Sequence, residues 1–190
     1  MPVTKASARS RLLAAAREKF YADGIAATGV DGIVESAGVA KMSLYNNFGS
    51  KAELVVAYLE ARHQEWLDLY SARLEGAETS LDGVLAVVDA YIDDAHAAHA
   101  RGFRGCGLLN AAAELPAGDP GRRLVAKHKA DVEELIRGHL SRMAGEKASR
   151  DGAEEISFVL EGAMARAGLE GSDRRLRTAR EIIARIVGHL

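Results

Sequence analysis

One cysteine, three prolines and no long apolar run: the scarcities of this 190-residue sequence each close off a class of protein. The lone cysteine, Cys106, excludes an intramolecular disulfide framework and suits a reducing cytoplasm. With so few prolines, and with Ala, Leu, Arg and Glu in abundance, helix is favoured throughout. No run alternates β-branched and aromatic residues over enough length to make a strand. No apolar stretch approaches the ~18 residues needed to span a bilayer, and the N-terminus lacks the apolar core of a signal peptide. The expectation is a cytoplasmic protein with no membrane partner. Also missing are a Gly-rich phosphate loop, a nucleophile elbow and any Cys/His metal pattern, so no catalytic residue, metal or cofactor is expected and the chain does not read as an enzyme. Glu60 and His63 form a single E-x-x-H, and Asp93, His96 and His99 fall on adjacent turns. A helical di-iron site needs a second such motif and two further glutamates.

What is present is an ordinary globular composition, 48% hydrophobic, with a mean hydropathy of −0.09. The length allows one or two small domains with a substantial core. The net charge of −2 argues against a nucleic-acid binder until its distribution is read. Residues 1–51 carry seven Lys/Arg against four acids, a balance of +3, and the remainder carries −5. A basic head on an acidic body directs a polyanion to one end.

The most informative stretch is Thr28 to Lys51, TGVDGIVESAGVAKMSLYNNFGSK. Thr28 is placed to cap a helix, with Asp31 three residues on as a weak capping box. Val30, Ile33, Val34 and Ala37 then recur on one helical face. Gly38 supplies a sharp turn. In the second helix Leu44 and Phe48 face inward, so Met42, Ser43, Tyr45 and Asn46 face outward. Two short helices, a Gly-containing turn and a polar outer face describe a helix-turn-helix. Ser50 and Glu53 then read as a capping box opening a longer helix, with Lys51 in its first turn.

At these residues the chain resembles the DNA-binding domain of the TetR/AcrR transcriptional regulators. The resemblance runs from Leu12 to Leu54 and lies in the LLxAA and F of the first helix, the Gly24 stop, T-x-V, I-x-x-x-AGV, LY-x-x-F and SK-x-x-L. It implies an all-α protein of about nine helices, with a three-helix DNA-binding domain over 1–52 and a helical effector-binding and dimerisation domain over 53–190. It also implies that Thr28, Lys41, Met42, Ser43, Tyr45, Asn46, Asn47 and Lys51 contact DNA. The residue chemistry agrees: Lys41 can donate to guanine, Met42 can touch a thymine methyl, Ser43 can reach several base edges and Asn46 can read adenine. Tyr45, Thr28 and Lys51 suit phosphate oxygens, and Asn47 either role. Ala40, Asn47, Met42 and Gly29 depart from the family's frequent residues, so no operator sequence carries over.

Beyond the head the chain reads as further helices: Ser50 to about Glu75 without a strong breaker, one capped by Ser80, a short one over Leu108 to Leu115, one opened by Asp119 and Pro120, and two more over about 153–169 and 173–190. The segment 145–152 reads as polar and exposed. The last two helices, about 153–190, are too apolar for one seam, and the resemblance implies that they form a homodimer. In the body Trp66, Tyr70, Tyr91, Phe103, Cys106, Leu109, Asn110 and Glu114 are candidates to line an apolar effector pocket with a few polar groups, and ordinary core is the alternative for each. The expected function is a ligand-responsive repressor, released from a pseudo-palindromic operator in double-stranded DNA by a small molecule. The alternative is a helical small-molecule-binding protein, or a redox sensor acting through Cys106, whose N-terminal corner is structural.

Overall fold

The computed structural model describes residues 6–97 and 102–190; His99 of the sequence reading lies outside them. The described residues form nine helices and no strand: α1 (Ala8–Asp23), α2 (Val30–Ala37), α3 (Lys41–Phe48), α4 (Lys51–Leu74), α5 (Ser80–His96), α6 (Gly107–Glu114), α7 (Pro120–Leu140), α8 (Glu146–Glu170) and α9 (Arg174–Gly188). None is long and apolar enough to cross a membrane.

Four of the nine helix starts follow from short polar residues at the right offset. Ser7 caps α1 by accepting from the Ser10 N–H at 3.1 Å. Ser50 accepts from the Glu53 N–H at 3.1 Å, one half of the expected box at α4. Asp119 accepts from the Gly121 N–H at 2.7 Å at the start of α7. Three expectations are corrected. Thr28 does not cap α2, whose N-cap is Gly29; the Thr28 hydroxyl is buried and donates to the Gly24 carbonyl at 2.6 Å, closing the α1–α2 turn instead. Thr79 rather than Ser80 caps α5, because Asp82 stands three residues after Thr79 and completes the reciprocal box. Helix α8 begins at Glu146, well before residue 153. There Ser149 is buried and donates back to the carbonyls of Ala144 and Gly145, and Gly152 lies against Leu140 and Leu190. Polar composition hid a helix turn with a buried small face.

The chain divides into two units, and the division falls inside α4 after Arg62, later than the boundary expected after residue 52. The N-terminal unit holds α1, α2, α3, the first part of α4, α6 and the start of α7. Its core is Leu12, Ala16 and Phe20 of α1, Ile33 and Ala37 of α2, Leu44 and Phe48 of α3, Leu54 and Tyr58 of α4 and Leu108 of α6, all buried. Phe20 and Tyr58 meet edge to face at 5.5 Å between ring centres.

The second unit holds the rest of α4 and α7 with α5, α8 and α9. Helix α9 packs against α5 and α8. Ile156, Leu160 and Met164 of α8 and Leu176, Ile183 and Val187 of α9 recur at helical spacing and are buried. An ion pair ties α9 to α5, Arg180 to Asp89 at 2.8 Å. Phe158 and Leu169 of α8 stay 70% and 88% exposed in the single chain, outside that seam.

Candidate nucleic-acid interface

The turn between α2 and α3 is fixed from within its own unit. Gly38 sits in the left-handed region at φ 61°, where a side chain would be strained, and its N–H closes on Glu35. Arg11 of α1 donates from Nη1 to the Ala37 and Gly38 carbonyls at 3.2 and 3.1 Å. A cation at a helix C-terminus is also favoured by the helix dipole. The sequence reading did not single out Arg11, although Lys or Arg one helix upstream of a Gly turn is a usable signal.

With the corner fixed, Leu44 and Phe48 point α3 inward and leave its other face to solvent. Met42 is 66% and Tyr45 42% exposed; Lys41, Asn46 and Asn47 are exposed and Ser43 is half-buried. Met42, Ser43, Tyr45 and Asn46 therefore lie on the accessible side, as their spacing predicts, with Lys41 and Asn47 exposed at its edges. Asn47 already donates from Nδ2 to the Ser43 carbonyl at 2.7 Å, which orients its amide along the helix. Arg9 lies 5.0 Å over the Phe48 ring and adds positive charge beside that face.

Lys41 carries a feature that the sequence reading missed. Its ammonium pairs with Asp31 of α2 at 2.7 Å, on an exposed part of the surface. That hydrogen bond, with the charge behind it, raises the Lys41 pKa. Asp31 had been read only as a capping residue, but the missing Thr28 cap leaves it free to reach across to α3.

The other two expected DNA contacts, Thr28 and Lys51, face inward. The Thr28 hydroxyl bonds to Gly24, and the Lys51 ammonium donates to the Ile25 carbonyl at 2.6 Å. The Glu114 carboxylate, at the end of α6, accepts from the N–H groups of Ile25 and Ala26 at 3.0 and 2.7 Å. So the α1–α2 turn is gripped on its N–H side by Glu114 and on its C=O side by Lys51. Gly24 sits at φ 90°, a backbone conformation that strains any other residue, and a Cβ there would also come within 2.7 Å of the Glu114 carboxylate.

The eight candidate effector residues divide between the two units. Leu109, Asn110 and Glu114 belong to the N-terminal unit, with Glu114 engaged as described. Trp66, Tyr70, Tyr91, Phe103 and Cys106 belong to the second unit. There Trp66 stacks on Tyr70 at 5.8 Å and packs against Tyr91 at 5.3 Å. Three histidines that the sequence reading did not select join them. His128 sets its ring edge to Trp66 at 5.4 Å, His63 and His128 share an Nδ1–Nδ1 hydrogen bond of 2.9 Å, and His139 bonds Tyr70 at 2.7 Å. The Trp66 Nε1 and the His139 Nδ1 are buried without a hydrogen-bond partner among the described residues. Lys129 pairs with Glu161 at 2.6 Å and reaches the Tyr91 hydroxyl at 3.3 Å. Burial pushes the Tyr91 pKa up, more than Lys129 pulls it down. Helical spacing places Trp66 three residues after His63, but nothing local announces His128 or His139 as their neighbours. Among the described residues no group of three or more His, Cys, Asp or Glu side chains is arranged to hold a metal.

Comparison with known proteins gives this chain its relatives. Residues 12–58 match the family model described as "Bacterial regulatory proteins, tetR family". The chain is 40% identical over 88 residues to the HTH-type transcriptional activator FasR of Mycolicibacterium smegmatis, and 38% over 74 residues to the HTH-type transcriptional regulator TtgR of Pseudomonas putida. These matches cover 45% and 39% of this chain but only 39% and 34% of those relatives. Over nearly its whole length, 95% of both chains, the protein is 30% identical to a TetR-family transcriptional regulator from Streptomyces coelicolor, with a TM-score of 0.82. A TetR regulator of Chloroflexus aurantiacus, 24% identical over 95% of this chain and 94% of that one, shares the fold with a TM-score of 0.83.

Proposed function

Because the chain belongs to the TetR family of bacterial regulatory proteins, we propose that it is a cytoplasmic, dimeric, ligand-responsive transcriptional repressor. The observation that carries this reading is the outer face of α3, where Lys41, Met42, Ser43, Tyr45, Asn46 and Asn47 are accessible together on a corner held by Gly38 and Arg11. A helix of this kind lies in the major groove, where Lys41 donates to guanine, Asn46 reads adenine and Met42 meets a thymine methyl. Tyr45 and Asn47 take phosphate oxygens, and Thr28 and Lys51 bear on the backbone through the turn they hold. Two heads on a two-fold dimer would read a pseudo-palindromic operator in double-stranded DNA.

The partner surface is α8 and α9. Phe158 is exposed, and Ile182 and Ile186 are half-buried in the single chain, which leaves an apolar strip beside the seam of buried Leu176, Ile183 and Val187. The effector is a small molecule received by the second unit, and Trp66 and His139, each with a buried N–H or ring nitrogen that has no hydrogen-bond partner among the described residues, support that choice. Helices α4 and α7 each belong to both units, and α4, which follows α3 directly and runs unbroken from Lys51 to Leu74, is the element that carries a change from effector to head. By linkage the effector and the operator weaken each other's binding by the same factor.

The test is to select binding fragments from random duplex DNA and titrate the best one across a salt series. A palindromic consensus with affinity falling steeply in salt is expected. No enrichment above bulk DNA would end the reading. Transcription from the selected site separates repressor from activator, the role named for the relative FasR.

A further inference from the structure

A groove of about 370 Å³ opens in the N-terminal unit. Its floor is hydrocarbon, from Ile25, Val55, Val56, Leu115 and Pro120. The volume lies within the range of about 300–1,000 Å³ in which proteins hold small molecules.

Three charged residues line the groove: Lys51, Glu53 and Asp119. The Lys51 ammonium donates to the Ile25 carbonyl at 2.6 Å, and the Asp119 carboxylate accepts from the Gly121 N–H at 2.7 Å. Two helices also begin here, α4 at Lys51 and α7 at Pro120. Each helix N-terminus acts as roughly half a positive charge. Two carboxylates thus stand against one ammonium and two half-charges, and the rim is close to neutral. An ion of either sign would lose hydration against the hydrocarbon floor and find no net counter-charge to replace it. An ammonium has three donors, and one of those on Lys51 goes to Ile25.

We propose that this groove binds an uncharged, mainly hydrocarbon small molecule carrying one oxygen acceptor for Lys51. The site is distinct from the Trp66 cluster, which belongs to the other unit. It does not require that the head bind DNA, so its failure and that of the regulatory reading are separate results. A molecule seated there rests on Ile25, in the same turn that Lys51 and Glu114 grip.

The experiment uses the full chain with methyl-labelled Ile, Leu and Val and three probes of matched size: 4-phenyl-2-butanone, the benzyltrimethylammonium cation and the 3-phenylpropanoate anion. The ketone should shift the methyls of Ile25, Val55 and Leu115 saturably, with a dissociation constant on the order of 1 mM or below, and give intermolecular NOEs to Ile25. Both ions should bind at least ~5-fold more weakly. Ala52 lines the groove and is exposed, so Ala52→Trp fills it from the solvent side, against the hydrocarbon floor. Ala52→Trp should abolish the shifts, and Ala72→Trp, at an exposed position further along α4, should leave them unchanged. The NOEs in the wild type decide the matter if Ala52→Trp does not fold. Methyls that stay still up to the ketone's solubility, shifts confined to the surroundings of Trp66, or an ion that binds as tightly as the ketone would each overturn the proposal.

Discussion

Asp31 and Lys41 face each other across the α2–α3 corner at 2.7 Å, so the cation proposed to meet DNA is already paired. Such an exposed pair contributes at most about 1 kcal/mol and is easily exchanged for another partner. Its consequence lies in binding, because DNA must compete with Asp31 for Lys41 and must also approach the Asp31 carboxylate. Replacing Asp31 by Asn should raise DNA affinity about 3- to 10-fold near 0.1 M salt and steepen the salt dependence by roughly one counterion. Fluorescence anisotropy on a selected operator and on bulk DNA measures both. An unchanged slope would mean that Lys41 does not reach the duplex.

Glu114 acts at a distance from the reading face. Its two oxygens hold two successive backbone N–H groups, and an amide offers only one acceptor in the same space. Glu114→Gln should therefore cost about 1 kcal/mol in urea unfolding, through one lost charge-assisted bond. Operator and bulk-DNA affinities should fall together, since the turn is loosened and no base contact changes. A loss confined to one DNA sequence would point to a direct role instead.

How much of this was legible in the sequence differs between the two units. The head was readable because its signals are local: Gly38 marks the turn, and Leu44 and Phe48 fix which face of α3 remains outside. Its errors were of two kinds. Asp31 and Glu114 have partners on other elements, which no window of adjacent residues reports, whereas Thr28 turns back to Gly24 four residues earlier instead of forward into α2. The body was readable as helices but not as a site. His63 and His128 meet across 65 positions of sequence and Tyr70 meets His139 across 69, so the cluster around Trp66 exists only once the chain has folded.

His139 makes stability depend on pH. It is buried, and burial first and the Arg142 charge second hold its pKa below the ordinary 6.5. The unfolded chain thus takes up a proton that the folded chain refuses. Stability from this residue is fully present above pH 6.5, is lost as pH falls below that value, and levels off once the folded pKa is passed. The slope is at most about 1.4 kcal/mol per pH unit for the one proton. Urea midpoints compared between pH 7.5 and 5 should fall less for His139→Gln than for the wild type. Equal falls would remove His139 as the cause.

The proposed dimer is testable through a residue that the single chain does not need. Ile186 is half-buried beside the seam in which Ile183 and Val187 are buried. Ile186→Glu should leave helix content unchanged and convert the protein to a monomer in sedimentation experiments. Operator affinity should fall at least about 100-fold, since each head then binds alone and the gain from linked half-sites is lost. A monomeric wild type would remove the premise.

Because α4 and α6 help to bury Phe20 and its neighbours, the reading head is not a detachable cassette. A fragment ending at residue 52 would lack Leu54, Tyr58 and Leu108, all buried in the same unit as α1. Anyone grafting this head onto a foreign sensor must therefore transplant two segments of chain rather than one.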